Sequence, residues 1–130
     1  MAYTHLGHYD KAKAGHPEPY YVDRHTFIDY RGDLKVSPLS YWGFGNMVMT
    51  ASHNIMSGGF EGPLIDKRVY VDDYAWITSG CILYNCHIQH HAIVSIGSVV
   101  NNMIVEPYHV VSGNPAIVIA FWDGQRWRRP

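Results

Sequence analysis

Nine histidines stand in this chain of 130 residues, and histidine is the side chain that titrates closest to neutrality, so these are the first candidates for proton transfer or metal binding. One position stands apart. His53, in Thr50-Ala51-Ser52-His53, falls where a regular apolar rhythm stops and a glycine-rich stretch begins, at an edge where a substrate can enter. An imidazole there can take the proton of an attacking hydroxyl with one nitrogen, while a carbonyl or carboxylate holds the other and fixes its tautomer. His5, His8 and His16 lie among Lys, Gly and Pro residues, and His87, His90 and His91 are three and one apart. Neither group sits in a pattern that fixes a coordination geometry, and no metal is expected. Cys81 and Cys86 have no second pair and fit neither a zinc site nor a disulfide framework, so buried, unreactive thiols are expected.

The residues around His53 must be positioned by whatever sets the apolar rhythm. Aliphatic anchors fall at Ile65, Val71, Ile77 and Leu83, then, after one five-residue step, at Ile88, Val94 and Val100. Two residues before the last six anchors runs a second series, Val69, Ala75, Cys81, Cys86, Ala92 and Ser98. A period of six belongs neither to an α-helix nor to a simple alternating strand. It fits a triangular coil in which each six-residue side turns its aliphatic residue to the axis and tucks the small one near a corner. Successive turns of roughly eighteen residues then stack at about 4.8 Å. An ordinary all-β sandwich would instead show alternating strands separated by turn signals every ~8–12 residues. Upstream, Val22, Ile28 and Leu34, then Val36, Trp42 and Val48, keep the step of six in a shifted register, which leaves open the anchor of each pair.

The chain reads as one domain: an arm at 1–19, a coil at 20–118 interrupted by a loop at 54–64, and a tail at 119–130. Asn101–Tyr108 departs from the repeat, and Val110–Ala116 closes the last turn. Asp123-Gly124 between Phe121-Trp122 and Gln125-Arg126-Trp127 signals a terminal two-residue hairpin rather than a helix. A net charge of −1 gives no pull toward nucleic acid or anionic membranes. No apolar run approaches the ~18 residues of a membrane span, and Met1–Gly15 lacks the apolar core of a signal peptide, so a cytoplasmic location is expected.

Four pieces in this order and spacing, Thr50-Ala51-Ser52-His53, Gly62-Pro63-Leu64-Ile65, Trp76-Ile77 and Ser112-Gly113-Asn114-Pro115-Ala116, make the stretch from Val36 to Val118 resemble the hexapeptide-repeat acetyltransferases, in particular the galactoside, maltose and polysaccharide O-acetyltransferase branch. The resemblance implies an all-β, left-handed parallel β-helix with a loop excursion and a C-terminal hairpin or tail. It implies a homotrimer with active sites between subunits, and acetyl-CoA as co-substrate. Direct transfer to a saccharide or similar small acceptor would use His53 as general base. It further implies that Trp76 lines the cleft near acceptor and pantetheine, and that backbone groups of Ser79 and Ile96 bond the pantetheine amides. Asp23, with His25 beside it, falls roughly at an acceptor-binding position.

This chain departs from that family where the cofactor's adenine and phosphates are usually met. Asn101-Asn102 replaces the usual Thr-Lys, and Ile117 and Ala120 stand where basic residues are common. The tail offers Arg126, Arg128 and Arg129, whose guanidinium groups suit phosphate geometry, and contact with the 3′-phosphate of CoA is expected from them or from a neighbour's copy. Two other classes use related features. A non-catalytic carbohydrate-binding or structural protein would draw on ten tyrosines and four tryptophans as stacking surfaces. A γ-carbonic-anhydrase-like metalloprotein would need two histidines five apart, and His53 has no such partner.

Overall fold

The computed structural model describes residues 4–6 and 26–130. The elements are almost all short strands: β1 (Thr4–Leu6), β2 (Phe27–Asp29), β3 (Leu34–Val36), β4 (Tyr41–Trp42), β5 (Met47–Met49), β6 (Ala51–His53), β7 (Leu64–Asp66), β8 (Val69–Val71), β9 (Trp76–Ile77), β10 (Ile82–Ile88), β11 (Ile93–Val94), β12 (Val99–Val105), β13 (His109–Gly113), β14 (Ala116–Trp122) and β15 (Trp127–Arg128). β1, β2, β5 and the first halves of β10 and β12 form one parallel ladder. A second joins β3, β8 and the second halves of β10 and β12, and a third joins β4, β9, β11 and β13. The chain visits the three in turn. Trp76 pairs with Ile93 and Ile93 with Val110, a step of 17 residues each time. Parallel ladders of this kind are incompatible with the facing antiparallel sheets of a sandwich.

Inside the coil, Val71, Ile77, Leu83, Ile88, Val94 and Val100 are fully buried, as are all six members of the series two residues before them. Burying each aliphatic anchor contributes about 1.5–3 kcal/mol. Strand pairing settles the upstream register: Val36 meets Val71, Trp42 meets Ile77, Val48 meets Leu83 and Ile28 meets Val48. Leu34, Ser40 and Asn46 therefore belong to the second series and are buried with it. Where that series is polar it ties the corners: the Ser40 and Ser98 hydroxyls each donate to a carbonyl three residues back, and Asn46 bonds the backbone of Thr78 and Cys81.

Among the described residues, eight corners are turned by one left-handed residue immediately before the second-series position. These are Gly45, Tyr74, Gly80, Asn85, His91, Gly97, Asn102 and Tyr108, with φ between 49° and 70°. Glycine takes that conformation freely and asparagine more readily than most residues. Asn85 and Asn102 turn the two corners at which the anchor step shortens to five. Their side chains stack in register, with Asn85 Nδ2 donating to Asn102 Oδ1 at 2.9 Å.

Several expectations are corrected. Asn101–Tyr108 does not leave the repeat: β12 runs on beside β10, and Val105 and Val111 are buried anchors paired with Ile88 and Val94. A second five-residue step, Val100 to Val105, hides this continuation. Ile65 is not an anchor, since it is 36% exposed on an antiparallel hairpin of β6 and β7 outside the coil. That excursion reaches beyond 54–64, taking in β6 and β7 and two short 3-10 turns, Ile55–Ser57 and Gly59–Glu61.

After the last corner the chain reverses. β14 runs antiparallel to β13, and β15 antiparallel to β14. The terminal hairpin forms, but its turn holds four residues, not two. Trp122 faces Trp127, and Asp123 Oδ1 accepts the N–H groups of Gln125 and Arg126. The Asp123 N–H also donates to the Arg126 carbonyl at 3.1 Å, so Asp123 closes the turn through both backbone and side chain.

Candidate active site

His53 ends β6, exposed, at the neck of the excursion. Its Nδ1 lies 2.7 Å from the carbonyl oxygen of Gly62. A carbonyl only accepts, so Nδ1 carries the hydrogen and donates it, and in the neutral ring Nε2 is then the nitrogen that can accept a proton. The neck is closed beside it by the N–H of Asn54 on the carbonyl of Pro63, 2.9 Å. An imidazole oriented in this way can act as a general base toward a hydroxyl brought to its outer side.

Trp76 stands elsewhere, half-exposed at the middle of the ladder β4–β9–β11–β13. It lines a cleft of about 650 Å³ with Tyr41, Ile93, Tyr74, His91, Tyr108, Trp122 and Trp127. The cleft floor is the outer surface of that ladder. One wall is the column of corner residues Tyr74, His91 and Tyr108, in which the His91 and Tyr108 rings stack at 4.6 Å. The other wall is the terminal hairpin, where Trp122 and Trp127 meet edge to face at 5.6 Å. Such a surface takes ligands with a flat apolar face and a polar edge. That these side chains converge on Trp76 was not evident in the sequence. The signal was present in the 17-residue spacing of Tyr74, His91 and Tyr108, but three different residue types at one position concealed it.

Ser79 and Ile96 are brought to one corner. The Ser79 carbonyl accepts the N–H of Gly97, and its hydroxyl accepts the N–H of Phe44, both at 2.9 Å; the Ile96 side chain is exposed. Asn101 and Asn102 lie on the surface, with Asn102 engaged by Asn85. Arg126 and Arg128 lie at the hairpin tip, and Arg128 is paired with Asp123, whose carboxyl it holds down at about 2. β14 runs the length of the face, from Gly113 to His109 of β13, so the arginines of one chain stand at the opposite end of that face from Ser79 and Ile96. Asp23 and His25 lie outside the described residues.

Cys81 and Cys86 are buried free thiols, and burial pushes Cys86 up to about 12, so neither serves as a nucleophile. His87 Nε2 lies 2.8 Å from Asp72 Oδ2, and His90 and His91 share a hydrogen between their Nδ1 atoms at 3.1 Å. Among the described residues no group of three His, Cys, Asp or Glu side chains is arranged to hold a metal ion, and no helix is long and apolar enough to cross a membrane.

No protein-family model matches the sequence, and no curated protein does. Solved structures do. A hexapeptide-repeat-containing acetyltransferase of Vibrio cholerae, complexed with acetyl-coenzyme A, aligns with a TM-score of 0.60 at 26% identity over 75% of this chain and 57% of its own. A maltose O-acetyltransferase of Clostridium difficile aligns with a TM-score of 0.60 at 24% identity over 72% of this chain and 53% of its own. The chain thus spans little more than half the length of these proteins, and in structure it is similar to hexapeptide-repeat acetyltransferases.

Proposed function

We propose that this hexapeptide-repeat chain moves an acetyl group directly from acetyl-CoA to a hydroxyl of a saccharide or similar small acceptor, with His53 as general base. The bond between His53 Nδ1 and the Gly62 carbonyl carries this reading, because in the neutral ring it makes Nε2 the proton-accepting nitrogen. The acceptor oxygen attacks the thioester carbonyl carbon as its proton passes to Nε2. Collapse of the tetrahedral adduct breaks the carbon–sulfur bond, and the proton then goes to the departing thiolate, giving an O-acetyl ester and free CoA. Backbone N–H groups meet the transient oxyanion.

The finer features of the proposal follow the same likeness. The coil is left-handed, the assembly is a homotrimer in the cytoplasm, and each site lies between two subunits. His53 stands on the excursion and Trp76 on a ladder of the coil, which supports a site completed by a neighbour. So does the excursion, which presents Met56 at 91% and Phe60 at 82% exposure, apolar surface that a second copy would cover. Asp23, His25 and Trp76 contact the acceptor. Backbone groups of Ser79 and Ile96 hold the pantetheine, Asn101 and Asn102 flank the adenine, and Arg126 and Arg128 of a neighbouring copy reach the phosphates.

The test is to incubate the protein with acetyl-CoA and a panel of mono- and oligosaccharides, following free thiol and O-acetyl ester by mass spectrometry. Turnover with some acceptor, lost by ~10²–10⁴ in His53→Ala, is expected; a loss within about tenfold would unseat His53 as the base. The aromatic cleft favours a second reading, a non-catalytic carbohydrate-binding protein, which saccharide binding without thiol release would select.

A further inference from the structure

We infer that Asp29 and Thr50 are positioning residues for His53, forming a buried clamp that fixes the direction in which the excursion leaves the coil. This rests on the reading of His53 as the base.

Asp29 ends β2 and is fully buried. Its Oδ1 accepts from Arg31 N at 3.0 Å and Nε at 2.8 Å, and its Oδ2 accepts from Arg31 Nη2 at 3.0 Å and from Thr50 N at 3.2 Å. The Thr50 hydroxyl donates to the Asp29 carbonyl at 2.7 Å and accepts the N–H of Gly32 at 2.8 Å. The Thr50 carbonyl accepts the N–H of Lys67 at 2.6 Å. Thr50 is the last residue before β6 and Lys67 the first after β7, so the backbone of Thr50 joins the exit and the return of the excursion, and the buried Asp29 holds Thr50 in place. The approach is so close that a Cβ on Gly32 would fall 1.7 Å from the Thr50 carbonyl oxygen.

Above this root the excursion is braced by its own pairing, Ala51 with Asp66 and His53 with Leu64. It moves as an arm. Three strand residues reach about 10 Å, so turning the root by ~6° displaces the imidazole by about 1 Å, and misplacements of that size cost up to ~10²-fold in rate. A charged carboxylate anchored through both oxygens suits such a root because charge-assisted hydrogen bonds are strong and their paired geometry is directional.

The experiment compares Thr50→Val, which keeps the branched shape and loses both hydroxyl bonds, with Thr50→Ser, which keeps them. The ring nitrogens of His53, assigned with His53→Ala, are read by long-range nitrogen–proton NMR, and acetyl transfer is measured with acetyl-CoA and maltose. In Thr50→Val the Nδ1–H pattern should collapse toward a tautomer average. Any turnover of maltose should fall ~10–10²-fold, with KM for acetyl-CoA within about threefold; Thr50→Ser should restore both. A Thr50→Val protein that only melts earlier, with the His53 pattern and turnover of the wild type, overturns the inference. Should His53→Ala turn over maltose as the wild type does, or the wild type not turn it over at all, the nitrogen pattern alone decides the clamp, and the acceptor panel decides the role of His53.

Discussion

The Nδ1 atom of His53 and the carbonyl oxygen of Gly62 face each other at 2.7 Å across the neck of the excursion. They are nine positions apart in the chain, and everything between them projects from the coil. Glycine is required at the second position by crowding rather than by its dihedral freedom. Its φ is an ordinary −62°, but a Cβ would fall 2.1 Å from the carbonyl oxygen of Asn54.

Replacing Gly62 by alanine should therefore open the neck and withdraw the carbonyl from the imidazole. With its partner gone, the ring can adopt the other tautomer and loses its fixed orientation. Acetyl transfer should fall by roughly 10–10², within the span assigned to general-base help, while the affinity for CoA, measured by titration calorimetry, stays unchanged. A Gly62→Ala protein with full activity would show that the carbonyl has no part in preparing the base.

The corrected repeat register makes a stability prediction with an internal control. Ile88 is fully buried between Val71 and Val105, whereas Ile65 sits exposed on the excursion. Ile88→Ala should cost about 2–5 kcal/mol, and Ile65→Ala should fall within about 0.5 kcal/mol of the wild type. Equilibrium denaturation in urea measures both. Equal losses would restore Ile65 to the axis.

The coil was legible because a six-residue period survives wherever the corner is a full one. It was lost at Val100 to Val105, where a corner turned by Asn102 is one residue shorter and the aliphatic spacing breaks. Ile65 misled for the opposite reason: it lies six residues before Val71 by coincidence, on a strand of the hairpin. His53 was legible because the rhythm stops beside it. Its surroundings were not. Gly62 reaches it through a backbone carbonyl, which no side-chain pattern records, and Asp29 meets Thr50 across 21 residues with no repeat to relate them. Local periodicity reports which way a side chain faces; it does not report which chain segments meet at a corner.

Asp29 also sets a pH dependence. Burial raises its carboxyl, but the side-chain and backbone bonds from Arg31 and the Thr50 N–H outweigh burial and hold it below the usual carboxylate value. The folded state thus prefers the ionised form. The stability it supplies is complete above the unfolded pKa, near 3.9, and is lost as the pH falls through the lower folded value. Asp29→Asn should melt earlier at neutral pH, by roughly 3–10 °C if the lost bonds are worth ~1–3 kcal/mol. The gap to the wild type should narrow on acidification below about pH 4. Thermal midpoints recorded across that range check this, and a constant gap would mean that Asp29 is not ionised in the folded protein.

The tail gives the remaining prediction. Arg128 is already held by Asp123, the residue that also caps the hairpin turn, so its guanidinium is partly committed to the fold. Arg126 and Arg129 are exposed and can be removed without touching that pair. If the tail of a neighbouring copy reaches the cofactor, the double change Arg126→Ala with Arg129→Ala should weaken CoA binding several-fold in dilute buffer. The difference should shrink as salt is raised, because exposed charges are screened over about 8–10 Å at physiological ionic strength. CoA lacking its 3′-phosphate should bind the wild type and the double variant alike, since the group that distinguishes them is gone. Equal affinities of the two proteins for intact CoA would leave the basic tail without a role in cofactor binding.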